Sequence, residues 1–178
     1  MLDPSYVIRL EEGAWGALLV AITLAMHGFG MLMTLRVSEA LKTRFQKRPS
    51  FFYGMGVIVL ASWMILVVHI MEVSVWARFF LWKSAVAVPK ANASLCFYFA
   101  LGDYTTLGTN YNLKLDWRLL EGMIAIAGLL TFAWSTGILL TLAQEFQEQQ
   151  LARYRRGHRQ NQPKAAEAPN HPPDSQPS

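Results

Sequence analysis

Three apolar stretches, at about residues 13–35, 51–75 and 119–143, dominate the chain and limit what it can become. Each reaches the ~20 residues that an α-helix needs to cross the hydrocarbon core of a bilayer. Backbone polar groups find no water there, so segments of this length have to satisfy themselves as helices. The expected fold is therefore an all-α membrane protein with three transmembrane helices. Composition agrees, with 53% hydrophobic and only 16% charged residues. The first stretch reads as a retained helix, because its leader is mostly acidic (Asp3, Glu11, Glu12 against Arg9), whereas a cleaved signal needs a basic leader and a shorter apolar core.

Basic residues set the expected orientation. Arg36, Lys42, Arg44, Lys47 and Arg48 follow the first stretch, and Arg153, Arg155, Arg156 and Arg159 follow the third. Both segments should then be cytoplasmic, with the amino terminus outside and residues 83–117 on the outer side. Good helix formers over residues 144–156 should extend the third helix into the cytoplasm. Beyond Gly157 the chain turns to Pro, Gln, Asn and Ala, a composition expected to stay disordered, and its basic start should attract anionic lipid headgroups. The single cysteine, Cys96, excludes an intrachain disulfide framework and a CxxC site. No nucleophile elbow, phosphate-binding glycine loop or zinc motif is present, so no catalytic residue, enzyme activity or nucleic-acid partner is expected.

Between the second and third stretches, residues 92–104 are too short to span but long enough for a half-membrane helix, with Phe97, Tyr98, Phe99 and Tyr104 supplying aromatic surface. An amphipathic helix lying on the membrane surface would use the same aromatics. Next comes Tyr104-Thr105-Thr106-Leu107-Gly108-Thr109-Asn110. An ion filter needs an extended strand whose carbonyls face one axis, hence residues tolerant of left-handed backbone angles, and Gly108 and Asn110 are the expected positions. Thr106 is placed to add a hydroxyl ring at the inner mouth. An ordinary polar loop would favour the same residue types.

Further motifs occur in order around that segment: His69-Ile70-Met71-Glu72, Trp76-Ala77, Tyr98-Phe99, Trp117-Arg118-Leu119-Leu120-Glu121-Gly122 and Phe132-Ala133-Trp134-Ser135-Thr136-Gly137. Together they resemble the small bacterial channels of the two-transmembrane potassium-channel superfamily, over roughly half the chain. The resemblance implies a first segment (1–50) preceding a pore domain (51–143) of outer helix, re-entrant pore helix, filter and inner helix, then a cytoplasmic extension and tail (144–178). It implies a homotetramer in a bacterial inner membrane, with potassium or another monovalent cation as the permeant ion and no cofactor. Thr105, Thr106, Leu107, Gly108, Thr109 and Asn110 would form the filter, supported by Tyr98, Phe99 and Tyr104. The family filter reads Thr-Thr-Leu-Gly-Tyr-Gly-Asp, so Thr109, Asn110 and Tyr111 depart from it and strict potassium selectivity is not implied. A non-conducting scaffold or regulatory subunit is the alternative. Gly122, Gly128 and Gly137 on the inner helix suit bending or close packing.

Ionisable groups within a span need partners. Arg118 is expected to pair with Glu72, Glu121 or both, clamping the outer helix to the inner one. Two histidines also suggest haem, but His27 falls ~20 Å below the outer surface, and His69 only ~9 Å if its helix emerges where the apolar run gives way. At unequal depths they could not share an iron. His69 and Glu72 alone lack ligands for a metal, and His27 reads as a hydrogen-bonded packing residue.

Overall fold

The computed structural model describes residue 7 and residues 9–45 and 51–161. Four helices follow in chain order: α1 Leu10–Phe45, α2 Phe51–Trp82, α3 Ala93–Tyr104 and α4 Leu119–Asn161. Among the described residues the sole extended pairing is an isolated antiparallel bridge between Val86 and Leu113. Three segments are helical, long and apolar enough to cross a membrane, Leu10–Thr43, Phe52–Trp82 and Leu115–Ala152, consistent with a multi-pass membrane protein. α4 continues through residues 144–156 as far as Asn161, so helix replaces the disorder expected from Gly157. The rest of the expected tail, and Lys47 and Arg48 of the basic loop, lie outside the described residues.

α2 does not end where its hydropathy falls. Ser74 returns its hydroxyl to the Ile70 carbonyl at 2.7 Å, and Glu72 is buried among partners, so both polar residues fit the helix without breaking it. The aromatic run beyond them is core as much as interface. Trp76 and Phe80 are fully buried, with the Trp76 indole N–H donating to Thr23 Oγ1 at 2.9 Å, while Trp82 faces outward.

The segment between α2 and α4 leaves the end of α2, turns back along the bundle and returns. Its two ends are tied together, since Ala87 N–H donates to Asn112 O at 2.9 Å and Lys114 N–H to Ala85 O at 2.8 Å. Within this closed neck α3 starts at Asn92, whose extended backbone (φ −99°, ψ 172°) and side-chain oxygen, accepting from Leu95 N–H at 2.8 Å, form an N-cap. The 12 residues of α3 give a length of ~18 Å. Tyr104 at its far end touches Glu72, which precedes the last residue of α2 by ten positions (82 − 72), or ~15 Å along that axis.

Apolar side chains gain little by leaving lipid for protein, so close backbone approach and interhelical hydrogen bonds carry the association of such helices. Gly128 provides the approach. A Cβ there would lie 2.0 Å from the Tyr104 carbonyl oxygen, so α4 admits the end of α3 only with glycine. Gly122 and Gly137 meet nothing within 4 Å. Near the neck, Glu12 on α1 accepts the Leu119 N–H at the start of α4, where an anion opposes the helix dipole. The Lys83 ammonium stands 5.0, 4.5 and 5.4 Å from the rings of Trp15, Trp82 and Trp117.

Candidate functional site

Two polar regions meet at Tyr104. The first is the strand that leaves α3. Thr105 closes the helix, its hydroxyl donating to Leu101 O at 2.8 Å, and Gly108 N–H returns to Gly102 O at 3.1 Å. Left-handed backbone occurs at Thr106 (φ 60°) and Gly108 (φ 72°). Gly108 was an expected position; Asn110 was not matched, and Thr106 takes that geometry instead. The reversal comes immediately after the helix, before asparagine is reached, and a β-branched residue at positive φ stores strain. Leu107 is 85% exposed in the single chain, and Thr109 Oγ1 lies 3.1 Å from Tyr111 O and 3.3 Å from its N–H. The three expected supporting aromatics divide. Phe99 packs edge-on against Phe80 at 5.6 Å and Tyr104 is buried, whereas Tyr98 is 58% exposed. Asp103 is a functional candidate that the sequence reading missed. Its Oδ2 is buried without a hydrogen-bond partner among the described residues. Burial, with the nearby Glu121 carboxylate adding like charge, pushes its carboxyl up to about 7.

The second region is a cluster to which all four helices contribute. His27 comes from α1, His69 and Glu72 from α2, Tyr104 from α3, and Thr131 and Ser135 from α4, and every one is buried. Glu72 holds His27 Nδ1 at 3.0 Å on Oε1 and His69 Nδ1 at 3.3 Å on Oε2. The Tyr104 hydroxyl donates to the same Oε2, and stands 2.9 Å from His69 Nδ1 and 2.6 Å from Thr131 Oγ1. Ser135 Oγ lies between the remaining imidazole nitrogens, 3.1 Å from His69 Nε2 and 3.3 Å from His27 Nε2. Phe132 packs on the His69 ring at 4.5 Å and Trp134 on the His27 ring at 5.5 Å.

This cluster corrects two expectations. The histidine rings are adjacent, with centroids 5.2 Å apart. Because α2 runs on to Trp82 and α1 begins at Leu10, the helical rise places His69 ~20 Å and His27 ~26 Å from those ends, not at the unequal depths inferred from hydropathy. Nor does Arg118 hold Glu72: both carboxylate oxygens are taken by His27, His69 and Tyr104, far from the start of α4. Glu121 instead accepts the Leu113 N–H at 2.6 Å, and among the described residues Arg118 makes no ion pair with either acid. One available signal was missed: residues 73–82 contain no glycine or proline to end the helix at Val75. Comparison with protein-family models, with curated proteins and with solved structures finds no match to the chain.

Proposed function

We propose that the chain is one subunit of a cation channel in which copies, four by the number that closes a carbonyl ring, place residues 105–110 around a common axis. The observation that carries this reading is the strand Thr106–Gly108, left-handed at alternate residues and starting from the carbonyl end of a short helix sunk between two long ones. Alternating hand turns successive peptide units so that their carbonyls share one side, the geometry that replaces an ion's hydration shell. The carbonyl end of α3 carries roughly half a negative charge, which favours a cation at the same level. In this reading α3 is a re-entrant pore helix, and the exposed Leu107 and Tyr98 meet neighbouring copies. Gly122 and Gly137, open in the single chain, lie on the inner helix where bending or a neighbour would use them. The basic segments face the cytoplasm.

Thr109 binds its own loop at Tyr111, so it does not brace the strand outward against the α3 aromatics. We therefore propose a pore without strict potassium preference. That same self-bonding favours the second reading, a channel-like scaffold that does not conduct. Purified chain reconstituted in liposomes under bi-ionic potassium and sodium gradients separates them. Cation flux with a permeability ratio near one supports the channel, whereas an intact tetramer that passes no monovalent cation supports the scaffold.

A further inference from the structure

With both histidines neutral, one assignment of hydrogens in the buried cluster leaves a lone pair that either a proton on His69 or a metal ion can match. With Glu72 ionised, Tyr104 donates its one hydroxyl hydrogen to Oε2 and His27 donates from Nδ1 to Oε1. His27 Nε2 then accepts from Ser135, and the Ser135 oxygen accepts from His69 Nε2. His69 Nδ1 is left as a lone pair aimed at Tyr104 Oη at 2.9 Å and Glu72 Oε2 at 3.3 Å. Neither oxygen has a hydrogen to offer, because that of Tyr104 is already directed at Glu72. Lone pairs thus converge in a site closed to water, where leaving them unmatched is costly.

We propose that His27, His69 and Glu72, with Tyr104 as fourth donor, form a buried binding site for a divalent transition-metal ion of the zinc class. The donor atoms of the two histidines and the carboxylate lie within 4.8 Å of one another. Tetrahedral zinc with bonds of ~2.0–2.1 Å separates its ligands by ~3.3 Å. His27 Nδ1 stands 3.0 Å from Oε1 and His69 Nδ1 3.3 Å from Oε2, close to that edge but on opposite oxygens. One carboxylate oxygen would turn inward, and Tyr104 Oη, now hydrogen-bonded to Oε2, would draw back from it to admit the ion. Two imidazoles with one carboxylate and a phenol suit zinc or ferrous iron better than calcium or magnesium, which prefer oxygen alone. Outer support is in place too. Ser135 holds both Nε2 atoms, which turns both Nδ1 atoms towards Glu72, the role that second partners play around bound metals. Phe132 and Trp134 shield the imidazoles on the α4 side. The ion would join α1, α2 and α3 directly and α4 through Ser135, whether or not the chain conducts.

The test uses the full chain in detergent, stripped with chelator, with His158 and His171 of the tail replaced by glutamine so that they do not compete. Titration with Zn2+ alone should saturate at one ion per chain, and Co2+ in its place should give the visible bands of a tetrahedral site. Ser135→Ala should weaken binding ~10-fold or more while keeping stoichiometry. Glu72→Gln, checked for retained helix content and assembly, should abolish it. Should Glu72→Gln misfold, the Co2+ spectrum of the His158/His171 variant decides alone. Absence of saturable binding, a Co2+ spectrum of octahedral type, or binding unaltered in a folded Glu72→Gln protein would overturn the proposal.

Discussion

The buried cluster and the strand after α3 share Tyr104 yet differ in kind. In the cluster each polar side chain meets others from different helices, so one chain completes it. The strand bonds mainly to itself and to α3, exposes Leu107, and strains the backbone at Thr106. One region fixes where α3 sits, and the other is presented outward from the position thus fixed. Mutations in the cluster should therefore cost assembly, and mutations in the strand should cost function with little change in stability.

Glu72→Leu should break the comparison hardest. It removes the carboxylate that His27, His69 and Tyr104 all face and leaves their polar atoms buried, a loss of about 3–5 kcal/mol. Steric trapping or denaturant unfolding in micelles checks the magnitude. If α3 then became protease-sensitive at residues 93–104 while α1, α2 and α4 stayed protected, the cluster would be confirmed as the anchor of α3. Gly128→Ala should follow, at about 3 kcal/mol, because its methyl would lie 2.0 Å from the Tyr104 carbonyl oxygen and the backbone must shift. Gly122→Ala is its control and should be close to neutral in the monomer, since nothing lies within 4 Å.

These two anchors were unequally legible in the sequence. The three spans, the short helix at residues 92–104 and the left-handed Gly108 follow from run length, aromatic content and residue type, all of which are local properties. The cluster did not, because its members are contributed by four helices and their meeting depends on depth, which depends in turn on helix ends. Hydropathy placed the end of α2 near Val75, just past Glu72 and Ser74, whereas both polar residues are satisfied within the bundle and the helix runs on to Trp82. The same limit applies to Arg118: nearness in level suggested Glu72, but three nearer partners already surround that carboxylate. At Thr106 the need to reverse directly after α3 overrode the residue's own preference.

Asp103 lies on the border between the two regions and gives a smaller, pH-dependent effect. Its folded value of about 7 stands above the ordinary 3.8, so the folded state holds the proton more tightly than the unfolded one. The stabilisation is complete below pH ~4 and is lost as pH rises through 7. Unfolding measured between pH 5 and pH 8 should show a fall of about 1–2 kcal/mol, discounted from the full shift because solvent partly reaches the residue. Asp103→Asn should flatten that profile. Glu121→Gln should move its midpoint down by removing the like charge, although it also weakens the acceptor of the Leu113 amide.

The smallest effect on stability and the most informative one on function should come from the strand itself. Replacing Thr109 with tyrosine and Asn110 with glycine alters residues that are partly or fully exposed in the single chain, and should change unfolding by within ~0.5 kcal/mol. If the strand lines a pore, a tyrosine at position 109 can pack back towards the α3 aromatics, where Thr109 bonds Tyr111 through its hydroxyl and rests its methyl on Gly102 of α3. Glycine at 110 relaxes the backbone beyond Gly108. Potassium-over-sodium permeability under bi-ionic conditions should then rise ~10-fold while the unfolding midpoint stays put. A large loss of stability with no change in permeability would reverse the comparison, making the strand structural and leaving the cluster as the functional centre of the molecule.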